Sequence, residues 1–70
     1  MTQTAYLEFD IQTFEMGRDL WHARILRIDG RPIILQQTAF DRLEVGFAWP
    51  THAAALQDAK KVADRLARTF

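Results

Sequence analysis

Residues 27–35 read RIDGRPIIL. Asp29-Gly30 can supply the positive φ angles of a tight hairpin turn. Pro32 cannot donate to a strand ladder, so it belongs at a strand entrance or on a free edge. Apolar side chains crowd both sides of the turn: Ile28 before it, then Ile33, Ile34 and Leu35 after it. A half-buried strand alternates apolar and polar residues, and this one does not. The stretch predicts a hairpin between a strand ending at Ile28 and another over 32–38, and something must cover its second face. A four-residue turn from Asp29 to Pro32 would pair Ile28 with Ile33 and Leu26 with Leu35. A two-residue turn would slide the second strand by one, turning Ile34 inward and leaving Ile33 and Leu35 outward.

Upstream, residues 5–14 alternate as one strand. Leu7, Phe9, Ile11 and Thr13 face one way, and Tyr6, Glu8, Asp10, Gln12 and Phe14 the other. Residues 15–19 contain Gly17 and predict a turn. Residues 20–28 form the second strand, with Trp21, Ala23 and Ile25 inside. Pairing Ile11 with Ala23 and Phe9 with Ile25 keeps the apolar faces together and sets Asp10 opposite Arg24. Downstream, residues 39–43 (AFDRL) fit a turn or a single helical turn. Residues 44–49 alternate again, with Val45, Phe47 and Trp49 on one face and a possible bulge at Gly46.

Pro50-Thr51 ends that strand and opens a helix from His52 to about Thr69, with Thr51 as N-cap. Ala55, Leu56, Ala59, Val62, Ala63, Leu66 and Phe70 keep the helical period, and the charged residues lie mostly opposite. The expected fold is therefore α+β. An antiparallel sheet of three to four strands packs on one C-terminal α-helix, in the order βββ(β)α, as a single domain over 1–70. The inner sheet face would carry Leu7, Phe9, Ile11, Trp21, Ile25, Val45, Phe47 and Trp49.

Composition bounds the function. Seventy residues bury a marginal core, which small domains often supplement with a disulfide, a metal or a partner. Cysteine is absent, which excludes disulfides and fits a reducing compartment. Nine basic residues balance nine acidic ones, so no global field draws the chain to nucleic acid or anionic membrane. The start, MTQTAYLEFD, has neither the basic region nor the apolar stretch of a signal peptide, and no run is long enough to span a bilayer. A cytoplasmic location is expected.

Chemistry is sparse. His22 and His52 lack metal-ligand spacing, and no cofactor is expected. Serine and cysteine are both missing, which removes two common nucleophiles. Gly17, Gly30 and Gly46 are isolated and form no phosphate loop. The chain is not expected to be an enzyme.

The segment FAWPTHAAALQDAKKVADRLA resembles the ending of small bacterial domains of unknown function with a strand–strand–strand–helix plan. It is also distantly similar to the last strand and helix of double-stranded-RNA-binding domains. The likeness covers the last third of the chain and implies a plan for the fold, with no functional residue carried over. That RNA-binding family places phosphate-binding lysines at the helix N-terminus, whereas Lys60 and Lys61 here lie mid-helix. Nor is a helix expected ahead of the first strand in these 70 residues, which is a second departure from that family.

Two functions from different classes follow. With one helix to cover one sheet face, Leu26, Ile28, Ile33 and Leu35 would form an outward apolar patch beside Tyr6 or Phe14, and Phe40 is counted in the interaction surface. That patch predicts a protein-interaction module that self-associates as a homodimer or binds another protein. Alternatively, Phe40 and Leu43 fold back and cap it. The second function is weak, sequence-tolerant nucleic-acid binding, with Tyr6 stacking and Arg24, Arg27 and Arg31 contacting phosphates.

Overall fold

The computed structural model describes residues 2–69, with residues 46, 47 and 69 described in their backbone only. Expectations for the Phe47 side chain and for Phe70 lie outside the described residues. Six strands precede one helix: β1 (Thr2–Tyr6), β2 (Phe9–Gly17), β3 (Leu20–Arg27), β4 (Ile33–Leu35), β5 (Thr38–Phe40), β6 (Leu43–Trp49) and α1 (His52–Thr69). The main sheet is antiparallel with order β1-β2-β3-β6, and β4-β5 form a separate two-stranded ladder. The helix packs across β2, β3 and β6. This is the α+β plan expected from the sequence, with two more hairpins.

The first of these divides the strand expected over 5–14. Leu7 and Glu8 make a two-residue turn, closed by the Tyr6–Phe9 pair. Leu7 takes φ 56° there, a position where glycine is favoured, so neither residue announces the turn. Direct pairing of Tyr6 with Phe9 puts both on one face. The inward set is therefore Thr2, Thr4 and Tyr6 on β1, then Phe9, Ile11 and Thr13 on β2. Tyr6 moves to the helix side, and Leu7, expected inside, is 55% exposed.

Between β2 and β3 the register differs by two residues from expectation. Ile11 lies opposite Ile25, and Thr13 opposite Ala23. An even shift preserves faces, so Phe9, Ile11, Ala23 and Ile25 are all buried as predicted. It does break the expected Asp10–Arg24 pair, because Asp10 lies opposite Leu26 and Gln12 opposite Arg24. The cause is a longer β2. It runs to Gly17 and turns over Arg18 and Asp19, with an irregularity between Glu15 and Gly17.

Asp29-Gly30 does form a turn. The Gly30 N–H donates to the Arg27 carbonyl at 3.2 Å with Gly30 at φ 80°, and the Arg31 N–H donates to the Asp29 carboxylate at 2.9 Å. The chain then leaves β3 instead of returning along it. β4 pairs with β5, setting Ile33 opposite Phe40 and Leu35 opposite Thr38. The open side of β3 is taken by β6. Neither expected register is made: Ile33 is 0% exposed in the core, while Ile34 is 51% exposed. The AFDRL segment ends β5 at Phe40, bends at Asp41-Arg42 and starts β6 at Leu43.

The helix follows expectation. Thr51 caps it: its hydroxyl accepts from the Ala54 N–H at 3.1 Å, and its carbonyl accepts from the Ala55 N–H at 3.2 Å. Ala55, Ala59, Ala63 and Leu66 are buried, flanked by Leu56 and Val62. Three alanines on the contact stripe let α1 lie low over Phe9, Ile11, Ala23 and Ile25. Fully burying each Phe or Ile here contributes about 1.5–3 kcal/mol. Trp21 and Val45 pack on the border of this core, but Trp49, expected inside, is exposed. Three residues lie between Val45 and Trp49 where β3 has only one, His22, between the opposing Ala23 and Trp21, and Ala48 takes φ 58°. That irregularity, in the interval holding Gly46, turns the indole out of the core.

Candidate interaction surfaces

The helix covers one face of the sheet, and the register defines what stands on the other. Asp10, Gln12 and Phe14 project there from β2, and Leu20, His22, Arg24 and Leu26 from β3. Phe14 lies directly opposite His22, with ring centroids 5.8 Å apart. The Arg24 guanidinium stacks over the Phe14 ring at 4.4 Å, a cation–π contact. The Arg24 Nε is buried with no hydrogen-bond partner among the described residues. This stack was hidden in the sequence because the expected register misplaced β3 by two residues.

A second surface lies at the end of the sheet where the β1–β2 turn meets the end of β3. Glu8, Arg27, Ile28 and Asp29 line a shallow, open cleft. The Arg27 guanidinium binds Asp29 through two bonds, Nε at 3.2 Å and an Nη at 2.8 Å, and reaches Glu8 at 3.9 Å. The Ile28 N–H donates to the Glu8 carbonyl at 3.0 Å. The Arg31 amide and the Arg27 guanidinium hold the Asp29 carboxyl below its ordinary range. Ile28 itself is 59% exposed beside this ion pair.

The expected patch is therefore dispersed. Ile33 is buried, Leu35 packs against the core, and Phe40 is half-buried opposite Ile33. Leu26 stands on the helix-free face, and Ile28 is at the sheet end. Of the four residues proposed for nucleic acid, Arg27 and Arg31 meet at Asp29 and the other two stand apart. Tyr6 faces the helix, where its hydroxyl donates to Asp64 at 2.8 Å and its ring lies 5.4 Å from the Lys60 ammonium. Arg24 is on the opposite face, Arg27 is ion-paired, and Arg31 is exposed with its Nε 4.0 Å from Asp29.

Two further features bound the chemistry. Among the described residues no group of three or more His, Asp or Glu side chains is arranged to hold a metal. Among the same residues no helix is long and apolar enough to cross a membrane. No family model, curated protein or solved structure matches this chain.

Proposed function

We propose that this chain is a small non-enzymatic protein-interaction module that self-associates through the open boundary of its sheet. One observation carries the reading. α1 covers one face of an open four-stranded sheet, whose outer strands β1 and β6 each pair on one side only. A 70-residue domain gains most from a partner, since its own core is marginal. Catalysis draws no comparable support. The chain has neither Ser nor Cys, and Asp29 is held ionised, opposite to what a general acid requires. A cysteine-free chain suits a reducing, cytoplasmic setting.

The nucleic-acid reading draws less support, because Tyr6 faces the helix, Arg24 stands on the opposite face, and Arg27 and Arg31 are both drawn to Asp29. Sedimentation velocity over a wide concentration series tests self-association. The expected result is a sedimentation coefficient that rises with concentration. A single monomeric species at the highest concentration would overturn it. Titration with single-stranded RNA at low salt is expected to give no saturable binding.

A further inference from the structure

We infer that the second copy joins at β1, whose free edge pairs antiparallel with the same edge of another molecule to make one continuous eight-stranded sheet. This rests on the self-association reading and specifies its contact.

An edge strand offers a row of unpaired N–H and C=O groups, and monomeric proteins blunt such edges with charge, proline, bulges or short length. The other edges here show those devices. β6 carries Glu44, an irregular register and Ala48 at φ 58°, and Pro50 follows it. β4 and β5 are three residues each, flanked by Pro32 and Asp41. β1 shows none of them. It reads TQTAY, without charge, proline or glycine, and it pairs with β2 alone in unbroken register from Thr2–Thr13 to Tyr6–Phe9. Among the described strands it is the one left open to another chain.

The turn fixes which backbone groups are available. A two-residue hairpin closes on a hydrogen-bonded pair, here Tyr6–Phe9, and such pairs then alternate along the ladder. Tyr6, Thr4 and Thr2 therefore direct their backbone groups to β2, while Gln3 and Ala5 direct theirs outward. The outward set is self-complementary. Gln3 of one copy meets Ala5 of the other, each pair exchanging both bonds, and Thr4 meets Thr4 on the two-fold axis. That axis is normal to the sheet. Both helices stay on one side, and the two helix-free faces merge into a single surface.

Sedimentation equilibrium on the full chain and four variants tests this, with circular dichroism confirming that each variant folds. In Ala5→Pro the outward donor is lost and every β1–β2 bond is kept, so dimerisation weakens about tenfold or more. Thr4→Lys and Thr4→Glu each weaken it through like charges at the axis, and an equimolar mixture of the two restores a dimer. If Ala5→Pro does not fold, the Thr4 pair decides alone. Leu26→Glu probes the helix-free face separately and is expected to leave dimerisation unchanged. Folded edge variants that dimerise like the parent, with Leu26→Glu monomeric, would overturn edge pairing and leave self-association standing. A parent chain that stays monomeric throughout removes both.

Discussion

Thr13 faces the helix at 1% exposure, and its hydroxyl has no hydrogen-bond partner among the described residues. A buried hydroxyl left unpaired loses its hydration without compensation. Valine keeps the shape and β-branching and removes the polar atom. Thr13→Val is therefore expected to stabilise the fold by about 1 kcal/mol, read from the urea midpoint at unchanged slope. Tyr6 is the opposite case, a polar group well provided for. Its phenol donates to Asp64, and that bond, with partial burial and the nearby carboxylate charge, raises its pKa above the usual tyrosine value. The neutral phenol is the stabilised form, so its contribution is complete below the unfolded value of about 10 and is lost as pH rises through the higher folded value. Tyr6 is the one tyrosine in the chain, so tyrosinate absorbance reports it alone. The expected midpoint lies above that of a free tyrosine, and Asp64→Asn brings it down. An unshifted midpoint in the parent chain would show that the Tyr6–Asp64 bond does not persist in solution. The sequence placed Tyr6 on the wrong face for a residue-level reason: Leu7-Glu8 turns without a glycine, and alternation runs through it undisturbed.

Elements were legible in proportion to how local their determinants are. The helix was readable over its described residues, from its Thr51 cap to the Ala55/Ala59/Ala63/Leu66 stripe, because capping and a 3.6-residue period are written within a few residues. The inner faces of β2 and β3 were also readable, since an even register error leaves every side chain on its side. The β4–β5 hairpin was not. Asp29-Gly30 marks a change of direction, but nothing local states that β6 takes the side of β3 that the returning strand was expected to occupy. The hairpin's own turn carries no signal either, because Gln36 and Gln37 take φ 50° and 67° where Asn-Gly is the usual choice. Replacing Gln36-Gln37 by Asn-Gly is expected to add about 1 kcal/mol, raising the melting temperature by roughly 4–8 °C. The two isoleucines that sequence could not orient now separate cleanly. Ile33→Ala should cost about 2–5 kcal/mol, because it empties a fully buried site. Ile34→Ala on the exposed side should stay within about 0.5 kcal/mol. Equal costs in parallel denaturation curves would contradict the burial of Ile33.

At the scale of the whole molecule, stability and association are one problem. Domains carry roughly 0.05–0.15 kcal/mol per residue, which for this chain is on the order of 4–10 kcal/mol. One helix, one face of the main sheet and Ile33 of β4 supply the core, and three of its helix positions are alanines that bury little area each. The helix-free face adds its Phe14, His22 and Arg24 stack. Pairing at β1 would add backbone hydrogen bonds to the folded state alone, since an unfolded chain has no preformed edge. Anything that binds only the folded state stabilises it by mass action, so the melting temperature must depend on protein concentration. Well above the dissociation constant, each tenfold rise in concentration should raise it by about 3–5 °C. Ala5→Pro separates this from any intrinsic gain. Its melting temperature should match the parent's at low concentration, where both are monomers, and begin to rise only at concentrations about tenfold or more above the parent's onset. Differential scanning calorimetry of the two chains over the same series measures this directly. A flat parent profile would mean that association adds nothing to the fold, and that the core under α1 sustains it alone.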